Sequence, residues 1–345
     1  MILHVNTICN IILKTKYQKL VLLIIKLLKK YFMKFGILGE AKIAREHVVP
    51  AILAAGHEVT HVGRRNPGQV PLPSIYKDAI ETDYDSLLSE LSIDAIYNPL
   101  PNHLHVPYSI KALKLGKHVL CEKPVALNLD ELIKLESVAK ESSAFFYEAY
   151  MVRSHPQWDW LKKLDIGKHQ SSHFVFSYPQ QPADNYRNRA QYGGGPLYDI
   201  GCYAILSGCL LFNGSPEVLS ASTIMNDSFD VEKQVDASLK WPNGETLSFT
   251  VSGSAALCQT LTLLGSNGWA KLNVPVNPPE ITHAYWSNGG LDEGNKISFP
   301  PCNQYQLMVH DFVTLAESGS KSDFSFSTIV TKAINEIQQA AGLSV

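Results

Sequence analysis

The sequence predicts a two-domain α/β protein in which a doubly wound parallel sheet precedes an α+β domain with a large, mostly antiparallel open sheet. Three observations support this fold class: a length of 345 residues, apolar runs alternating with amphipathic stretches up to residue 150, and period-two patterns beyond it. A chain of this length is too long for one small core and accommodates two domains. We therefore expect one domain at 33–150 and a second at 151–345.

The first domain alternates short apolar segments, which predict strands, with longer amphipathic segments, which predict helices. The predicted strands are FGIL, EVTHVG, DAIYNPL, HVLC and AFFYEAY, and the helices between them lie in REHVVPAILAAG, HVPYSIKALKLG and LNLDELIKLESVAKESS. Gly116 ends the second of these helices, and Asn128 followed by Glu131 is typical of a helix N-terminus. This alternation indicates βαβ units and a parallel sheet.

The second domain begins where this rhythm changes, after Tyr150. Helices are predicted at 156–163 and 197–211, and strands in SSHFVFSY, EVLSASTIM, VDASLKW, ETLSFTVSG, TLTLLG and AKLNV. The Asn-Gly pair at 243–244 predicts a hairpin turn, because it tolerates the positive φ angles that such turns require. We expect a mostly antiparallel sheet with helices on one face.

The first 32 residues differ in composition from the rest of the chain. They carry six of the 30 basic residues and none of the 32 acidic ones, so the remainder has a net charge near −8. The apolar stretch at 20–28 is far too short for a membrane span, which needs about 20 residues. We interpret 1–32 as an extension upstream of a natural start at Met33; a basic amphipathic helix on a membrane surface is the alternative. The acidic remainder disfavours nucleic acid as a partner.

Composition and cysteine usage narrow the class of protein further. Hydrophobic residues make up 45% and charged residues 18%, which excludes disordered and fibrous classes. The six cysteines form no C-x-x-C pair, so neither a disulfide framework nor a zinc site is indicated. We expect a reducing, cytoplasmic environment. The histidines include no H-E-x-x-H spacing, and we predict no metal site.

A phosphate-binding turn is predicted between the first strand and the first helix. Residues 39–44 read GEAKIA, a G-x-A-x-x-A form of the dinucleotide fingerprint, in which small residues let the backbone approach a pyrophosphate. A glycine turn in another α/β fold is the alternative, but the position between strand and helix favours a Rossmann domain. The predicted cofactor-binding residues in this turn are Gly39, Ala41, Lys42, Ile43 and Ala44.

The end of the second strand bears on the choice of cofactor. An NAD-binding domain usually places an acid there for the ribose, but here Glu58 stands at the strand's beginning and the strand ends in Gly63-Arg64-Arg65. A guanidinium binds phosphate through two parallel N–H groups, so Arg64 or Arg65 would accommodate the 2′-phosphate of NADP. We predict NADP, with NAD possible; a solvated pair of arginines is the alternative.

Four motifs carry a resemblance to a known family. They are NPLPNHLH at 98–105, GKHVLCEKP at 116–124, EAYMVRSHPQW at 148–158 and GGGPLYDIGCY at 193–203. In these motifs the chain resembles the glucose-fructose oxidoreductase, inositol dehydrogenase and MocA (Gfo/Idh/MocA) family, from about residue 34 almost to the C-terminus. Within that family it looks most similar to NADP-dependent D-xylose and trans-dihydrodiol dehydrogenases.

The resemblance implies an active cleft between a Rossmann domain and an α+β domain, and a homodimer or larger homo-oligomer formed through the open sheet. It places the family's E-K-P lysine on Lys123, with a possible cis peptide bond before Pro124, and its D-x-G-x-[HY] motif on Asp199, Gly201 and Tyr203. Many members have histidine where Tyr203 stands, which argues against inositol as the substrate. The loop of Pro101, Asn102 and His103 would shape the site around the nicotinamide ribose. Further predicted cofactor contacts are His105, Glu122 and Lys123, and the predicted substrate contacts are His155, Arg187, Asp199 and Tyr203.

These residue types suit the oxidation of an alcohol. Lys123 follows a strand at the edge where open α/β sheets bind ligands, and its ammonium would stabilise developing alkoxide charge. Its charge would also lower the pKa of Tyr203, our candidate general acid/base. Asp199, four residues earlier on the same helix face, would orient a substrate hydroxyl or pair with Lys123. Each of the three residues also has a purely structural alternative. Lys123 could be a surface residue at a strand end, Asp199 a charge that offsets the dipole at a helix start, and Tyr203 an aromatic residue of the core.

The predicted activity is hydride transfer between NADP(H) and a CH–OH group of an aldose or a related cyclic diol. Two other functions occur in the same fold. One is an NAD-dependent glycosidase-like reaction with transient oxidation, and the other is a non-catalytic regulator that senses the nucleotide. Lys123, Asp199 and Tyr203 argue against the regulator.

Overall fold

The computed structural model describes residues 32–290 and 294–343. The interpretation of the N-terminal extension therefore falls outside the described residues, apart from Phe32. In the described part, two sheets and the helices packed on them confirm the predicted fold class.

The first sheet contains six parallel strands in the order β3-β2-β1-β4-β5-β6. Its strands are β1 Lys34–Leu38, β2 Glu58–Gly63, β3 Ile80–Thr82, β4 Ala95–Asn98, β5 His118–Cys121 and β6 Phe146–Glu148. The order reverses between β1 and β4, and ligands of such sheets bind beyond the carboxyl ends of the strands at that point. The loops after β1, β2, β4 and β5 are therefore the ones that define the site.

Helices connect these strands much as the sequence predicts. They are α1 Val49–Ala54, which continues a π-helical turn at Ala44–Val48, α2 Tyr84–Ser89, α3 His105–Lys114 and α4 Leu129–Glu141. The Asn128 side chain accepts the Glu131 backbone N–H at 2.9 Å, which confirms the predicted helix cap. Gly116 has a φ of +73° just beyond α3, a conformation that favours glycine.

The second sheet contains eight strands in the order β14-β13-β12-β11-β7-β10-β9-β8. The strands are β7 His169–Ser177, β8 Glu217–Met225, β9 Glu232–Lys240, β10 Thr246–Ser252, β11 Cys258–Gly265, β12 Trp269–Leu272, β13 His283–Ser287 and β14 Asn295–Ser298. Among these described strands, β7 and β10 pair in parallel and the other neighbours pair antiparallel. The predicted hairpin turn is confirmed, since Gly244 donates to the Trp241 carbonyl at 3.0 Å and has a φ of +98°.

One face of this sheet packs against helices and the other is open. In β10, Leu247, Phe249 and Val251 are buried, whereas the alternating Thr246, Ser248 and Thr250 are partly exposed. The helices of this half are α5 Pro156–Lys163, α6 Cys202–Leu211 after a π-helical turn at Leu197–Gly201, α7 Gln304–Glu317 and α8 Ser325–Ala340. Short 3₁₀ turns lie at Ser74–Tyr76, Asn102–Leu104, Met151–Ser154, Tyr186–Asn188 and Ala190–Tyr192.

Helix α7 connects the two halves of the chain. Its Phe312 is fully buried and lies 6.0 Å, ring centroid to ring centroid, from Phe35 of β1. The C-terminal segment therefore packs on the first sheet as well as on the second half, which fixes the orientation of the loops that face each other across the site.

Candidate active site

The turn after β1 has the geometry expected of a dinucleotide-binding turn. Gly39 has a φ of +84°, where a side chain would be strained, and its N–H donates to the Gly63 carbonyl of β2 at 2.8 Å. Ala44 is fully buried where the helix packs against the sheet. No side chain caps the start of this helix, so its first N–H groups point to an anion site. These features fit the pyrophosphate of a nicotinamide dinucleotide. Lys42 is exposed and lies 3.8 Å from Glu46.

The two arginines after β2 have different environments. Arg64 pairs with Glu40 at 2.6 Å and with Glu81 at 2.8 Å, and it also donates to the Val70 carbonyl. These hydrogen bonds raise the pKa of Arg64 and lower that of Glu81. Arg65 is exposed and forms no ion pair in the part of the chain that the structure describes. Of the two predicted phosphate ligands, Arg65 is the one left free.

The loop after β4 contacts the second half of the chain. The Asn102 side chain donates to the Gly193 carbonyl at 2.7 Å, and the His103 ring stacks on Tyr192 at 4.8 Å. Burial lowers the pKa of His103, and its buried Nδ1 has no hydrogen-bond partner. Pro101, Asn102 and His103 therefore form one wall of a cleft whose opposite wall is the segment around Gly193.

His105 is buried between the loops after β4 and β5, and its contact with the cofactor stays a prediction. The ring is 1% exposed, and its Nδ1 and Nε2 lie 2.8 Å from the Pro124 carbonyl and 2.6 Å from the Leu100 carbonyl. Burial lowers its pKa to about 4. Both nitrogens face backbone oxygens, and the neutral ring donates a hydrogen bond to one of them, so the imidazole packs between the loops after β4 and β5.

Lys123, Asp199 and Arg187 form a charged cluster where the carboxyl end of β5 meets the helix at 197–211. Lys123 Nζ donates to the Asp199 carbonyl at 2.5 Å and lies 3.5 Å from Asp199 Oδ1. Arg187 Nε donates to Asp199 Oδ2 at 2.6 Å. The side chains of Lys123 and Asp199 are each 11% exposed, and that of Arg187 is 32% exposed. Two cations facing one carboxylate leave the cluster with a net positive charge.

The pKa values of this cluster follow from burial and pairing. Burial alone would raise the pKa of Asp199, but Arg187, Lys123 and a hydrogen bond from Tyr178 hold it well below its usual value. Burial alone would lower the pKa of Lys123, but the negative charges near it, including that of Asp199, leave it above its usual value. Both groups are therefore charged at neutral pH. An ammonium has three N–H donors, so two contacts with Asp199 leave one for a ligand.

Tyr203 lies beside Lys123, but its hydroxyl points elsewhere. Lys123 Nζ lies 4.8 Å from the centroid of the Tyr203 ring, while the hydroxyl donates to Met151 Sδ at 3.3 Å. The expected lowering of the Tyr203 pKa by Lys123 is wrong, because burial raises this pKa well above 10. The phenol is neutral at pH 7, and a thioether is a weak acceptor that a substrate oxygen could replace.

Glu122 and Glu148 fix the backbone on either side of Lys123. Glu122 accepts the buried Tyr97 hydroxyl at 2.7 Å, and burial raises the pKa of Glu122. Glu148 accepts the Val125 N–H at 2.8 Å and the Ser327 hydroxyl at 2.5 Å, and burial raises its pKa to about 7.

Two further predictions concern the peptide bond after Lys123 and the position of His155. The Lys123–Pro124 peptide bond is cis, as the resemblance implies. His155, predicted as a substrate contact, is 2% exposed, and its Nδ1 accepts the Gln157 N–H at 3.1 Å to cap α5. Burial lowers its pKa to about 4, and its contact with a substrate stays a prediction.

Three acids and one phenol of the site were not anticipated from the sequence. They are Glu40, Glu81 and Glu148, with Tyr178, which bonds to Asp199. Glu40 and Glu148 lie within the sequence motifs GEAKIA and EAYMVRSHPQW. The sequence did not show which way their side chains point, nor that β3, which carries Glu81, pairs with β2.

The described residues contain neither a cluster of metal ligands nor a helix that could span a membrane. No group of three or more histidine, cysteine, aspartate or glutamate side chains within 32–290 and 294–343 could hold a metal ion. In the same ranges, no helix is both long and apolar enough to cross a membrane.

Known proteins match this chain over nearly all of the described part. A family model described as oxidoreductase family, NAD-binding Rossmann fold, matches residues 33–150, and a GFO/IDH/MocA C-terminal domain model matches residues 159–271. The chain is 33% identical over 326 residues to the uncharacterized oxidoreductase ORF334 of Rhizobium meliloti, which covers 90% of this chain and 97% of that protein. It is 29% identical over 330 residues to D-xylose 1-dehydrogenase (NADP(+)) 2 of Haloferax volcanii, again covering 90% and 97%.

A solved structure with the same architecture contains a nicotinamide cofactor. KijD10, a 3-ketoreductase from Actinomadura kijaniata in complex with NADP and TDP-benzene, superposes with a TM-score of 0.81 at 27% identity. The match covers 90% of this chain and 98% of that one. The fold described above is therefore shared over both sheets.

Proposed function

The chain belongs to the Gfo/Idh/MocA family of oxidoreductases, and on this premise we propose that it transfers a hydride between NADP(H) and a CH–OH group of an aldose or a related cyclic diol. The observation that carries the proposal is the Lys123–Asp199 pair at the carboxyl end of β5, in the cleft that the turn after β1 also borders. The relatives named for D-xylose and for dTDP-3,4-didehydro-2,6-dideoxy-α-D-glucose support a sugar-like substrate.

The nicotinamide, when bound, accepts the hydride from the substrate carbon or returns it. The uncapped helix start after Gly39 would hold the pyrophosphate, and Arg65 would meet the 2′-phosphate. Pro101, Asn102 and Glu122 border the site from the ends of β4 and β5 and would position the nicotinamide half.

Lys123 would bind the reacting oxygen through its free N–H and stabilise the negative charge that develops there. Asp199 keeps the ammonium charged and directed into the cleft. Arg187 holds the Asp199 carboxylate from the other side, so its direct contact is with Asp199, and a substrate hydroxyl would meet it at the cleft edge.

Tyr203 would exchange its contact with Met151 for the reacting oxygen. As a neutral phenol it can donate a proton when a carbonyl is reduced. Oxidation runs through the same groups in reverse, so the phenol must first lose its proton. The site should therefore reduce a carbonyl more readily than it oxidises an alcohol at neutral pH.

Turnover of a substrate panel tests the proposal. Aldoses, polyols and cyclic diols are offered with NADP and with NAD, and the absorbance of the reduced nicotinamide is followed. Lys123→Met should lower kcat/KM by about 10²–10³-fold, as loss of an oxyanion donor does. Lys140→Met, an exposed lysine on α4 paired with Glu136, is the matched control and should leave turnover unchanged.

Each outcome assigns the protein to one function. Release of free NADPH supports the dehydrogenase. Glycoside cleavage without net cofactor reduction would identify the glycosidase-like alternative, and tight nucleotide binding without turnover of any substrate would identify the regulator.

We also propose a homo-oligomer formed through the open face of the second sheet. That face presents short uncharged side chains across its central strands, such as Thr262 of β11 and Ser248 of β10, on either side of His173. Such a row can be desolvated cheaply compared with a charged surface. Thr262→Arg should lower the mass measured by light scattering to that of one chain, whereas Thr328→Arg on the exposed side of α8 should not. Unchanged mass for Thr262→Arg would refute this interface.

A cytoplasmic location is proposed on the state of the cysteines. The five that the structure describes, Cys121, Cys202, Cys209, Cys258 and Cys302, are all free thiols. A protein of an oxidising compartment would be expected to pair some of them.

A further inference from the structure

The guanidinium of Arg64 bonds to three acceptors within the chain. Its Nη1 bonds to Glu81 at 2.8 Å and to the Val70 carbonyl, and its Nη2 bonds to Glu40 at 2.6 Å. The Arg64 side chain is 12% exposed, so these bonds are largely shielded from water. Arginine binds phosphate best through two parallel N–H groups. A phosphate approaching the terminal nitrogens of Arg64 would have to displace Glu40.

The charges around Arg64 disfavour a phosphate and suit a hydroxyl. Within the cluster of Arg64, Glu40 and Glu81, two carboxylates against one guanidinium leave a net charge of −1, next to the Gly39 turn. The 2′-phosphate of NADP would meet this negative charge, whereas the 2′-hydroxyl of NAD could donate to a carboxylate. Exposed Arg65 is the cation that remains for the phosphate.

Glu40 and Glu81 differ in what else they hold. Glu81 Oε1 also accepts the Gly68 N–H at 3.0 Å and so anchors the loop after β2. Within the described residues, the Glu40 carboxylate bonds to Arg64 alone, and it lies at the second position of the G-x-A-x-x-A turn, beside the pyrophosphate site. Removing the Glu40 charge would therefore change the nucleotide site with little effect on the loop.

We infer that Glu40 sets the cofactor preference of this protein: its carboxylate withholds Arg64 from the 2′-phosphate, so that NAD is accepted alongside NADP. The inference rests on the proposed function and refines it. According to this inference, Arg64 does not bind the 2′-phosphate while Glu40 holds it, and a residue of the glycine turn discriminates between the two cofactors.

Binding measurements on the full chain test this without relying on turnover. Dissociation constants for NADP⁺ and NAD⁺ are measured by titration calorimetry for the wild type, Glu40→Gln and the control Glu136→Gln, which removes one partly exposed carboxylate from α4. Glu40→Gln should tighten NADP⁺ binding about tenfold, the value of one charge-assisted hydrogen bond, and change NAD⁺ binding by less than about twofold. The gain should shrink at high salt.

A second substitution identifies the group responsible. Arg64→Gln should cost more NADP⁺ affinity in the Glu40→Gln background, where it abolishes the gain, than in the wild type. A ratio of the two dissociation constants that stays within twofold in Glu40→Gln, or an equal loss of NADP⁺ affinity on Arg64→Gln in both backgrounds, would overturn the inference. Wild-type protein that binds neither nucleotide would instead refute the proposed function, so the two failures are distinguishable.

Discussion

Replacing Asp199 by asparagine removes one charge and almost no volume from the centre of the proposed site. The variant leaves Lys123 and Arg187 facing each other across an amide that neutralises neither. Lys123 is 11% exposed, so water replaces little of the lost attraction, whereas Arg187 is 32% exposed and is partly screened. Most of the cost should therefore come from Lys123.

Removing one partner of a buried ion pair typically costs about 3–5 kcal/mol, because an uncompensated charge stays behind. The exposure of Arg187 argues for the lower end, so we expect the free energy of unfolding to fall by about 3 kcal/mol. In a protein of this size, such a loss should lower the melting temperature by about 5 °C. Lys123 should also lose protons more easily, since its pKa would no longer be supported by a carboxylate.

Thermal unfolding followed by circular dichroism measures the effect. The folded pKa of Asp199 is depressed, so its contribution is present above its unfolded value of about 3.9 and is lost as the pH falls further. The difference between wild type and variant should therefore be constant from about pH 5 to pH 8. Asp227→Asn is the matched control, since its 2.8 Å pair with Lys233 involves an exposed carboxylate and its loss should leave the melting temperature unchanged.

A charge-balanced double variant makes the reasoning refutable. Asp199→Asn combined with Arg187→Gln removes one orphan cation and should recover part of the lost stability. If Asp199→Asn melts within about 1 °C of wild type, or if the double variant is no more stable than the single one, then the cluster is not a buried, mutually dependent charge network.

Three other predictions address protons and packing. Burial keeps the Tyr203 phenol protonated at neutral pH, and oxidation requires it to lose its proton, so the oxidation rate should rise with pH from 7 to 10. Tyr203→Phe should remove that rise. A variant with the pH profile of the wild type would exclude the phenol as the general acid/base. Folding raises the pKa of Glu148 from 4.5 to about 7, so its contribution to stability is lost between these two pH values, where the unfolded chain ionises first. The melting temperature of the wild type relative to that of Glu148→Gln should therefore fall from about pH 4.5 to about pH 7 and stay level above it; parallel curves would contradict this. Gly195 has a φ of +92°, and Gly195→Ala would place a methyl group about 2.4 Å from the Glu232 carboxylate. Gly56 has a similar φ of +85° but no neighbour within 4 Å. Gly195→Ala should therefore lower the melting temperature far more than Gly56→Ala.

Local sequence signals predicted most of the fold because they act over a few residues. The cap at Asn128, the turn at Gly244 and the alternation in β10 each depend on neighbours within four positions, and the structure confirms them. Strands β3, β13 and β14 and helices α2, α7 and α8 were not predicted. β3 has three residues, too few for a period, and α7 is positioned by its packing on Phe35, a contact between residues far apart in the sequence.

The family motifs predicted which residues lie at the site. They did not predict which way each side chain points or which acceptor it meets. Lys123 and Asp199 lie 76 residues apart in the sequence, so no local pattern predicts their contact. The contact was predicted from the family motifs that contain them. We predict His105 and His155 as ligands, and in the structure both rings are buried against backbone groups. A histidine offers the same two nitrogens to a carbonyl, a helix end or a substrate, and the sequence does not distinguish these acceptors.

The buried polar groups around Lys123 show why a catalytic lysine needs so many non-catalytic neighbours. An ammonium beyond a strand end would otherwise reach for water, because burial without partners is costly. Here the backbone on its C-terminal side is held by His105 at Pro124 and by Glu148 at Val125, and its charge is held by Asp199. With the stem and two donors fixed, the direction of the remaining N–H is set before a substrate arrives, so little entropy is lost when that bond forms. Loosening Glu148 should therefore affect turnover more than nucleotide affinity, since the nucleotide turn at Gly39 does not depend on this support.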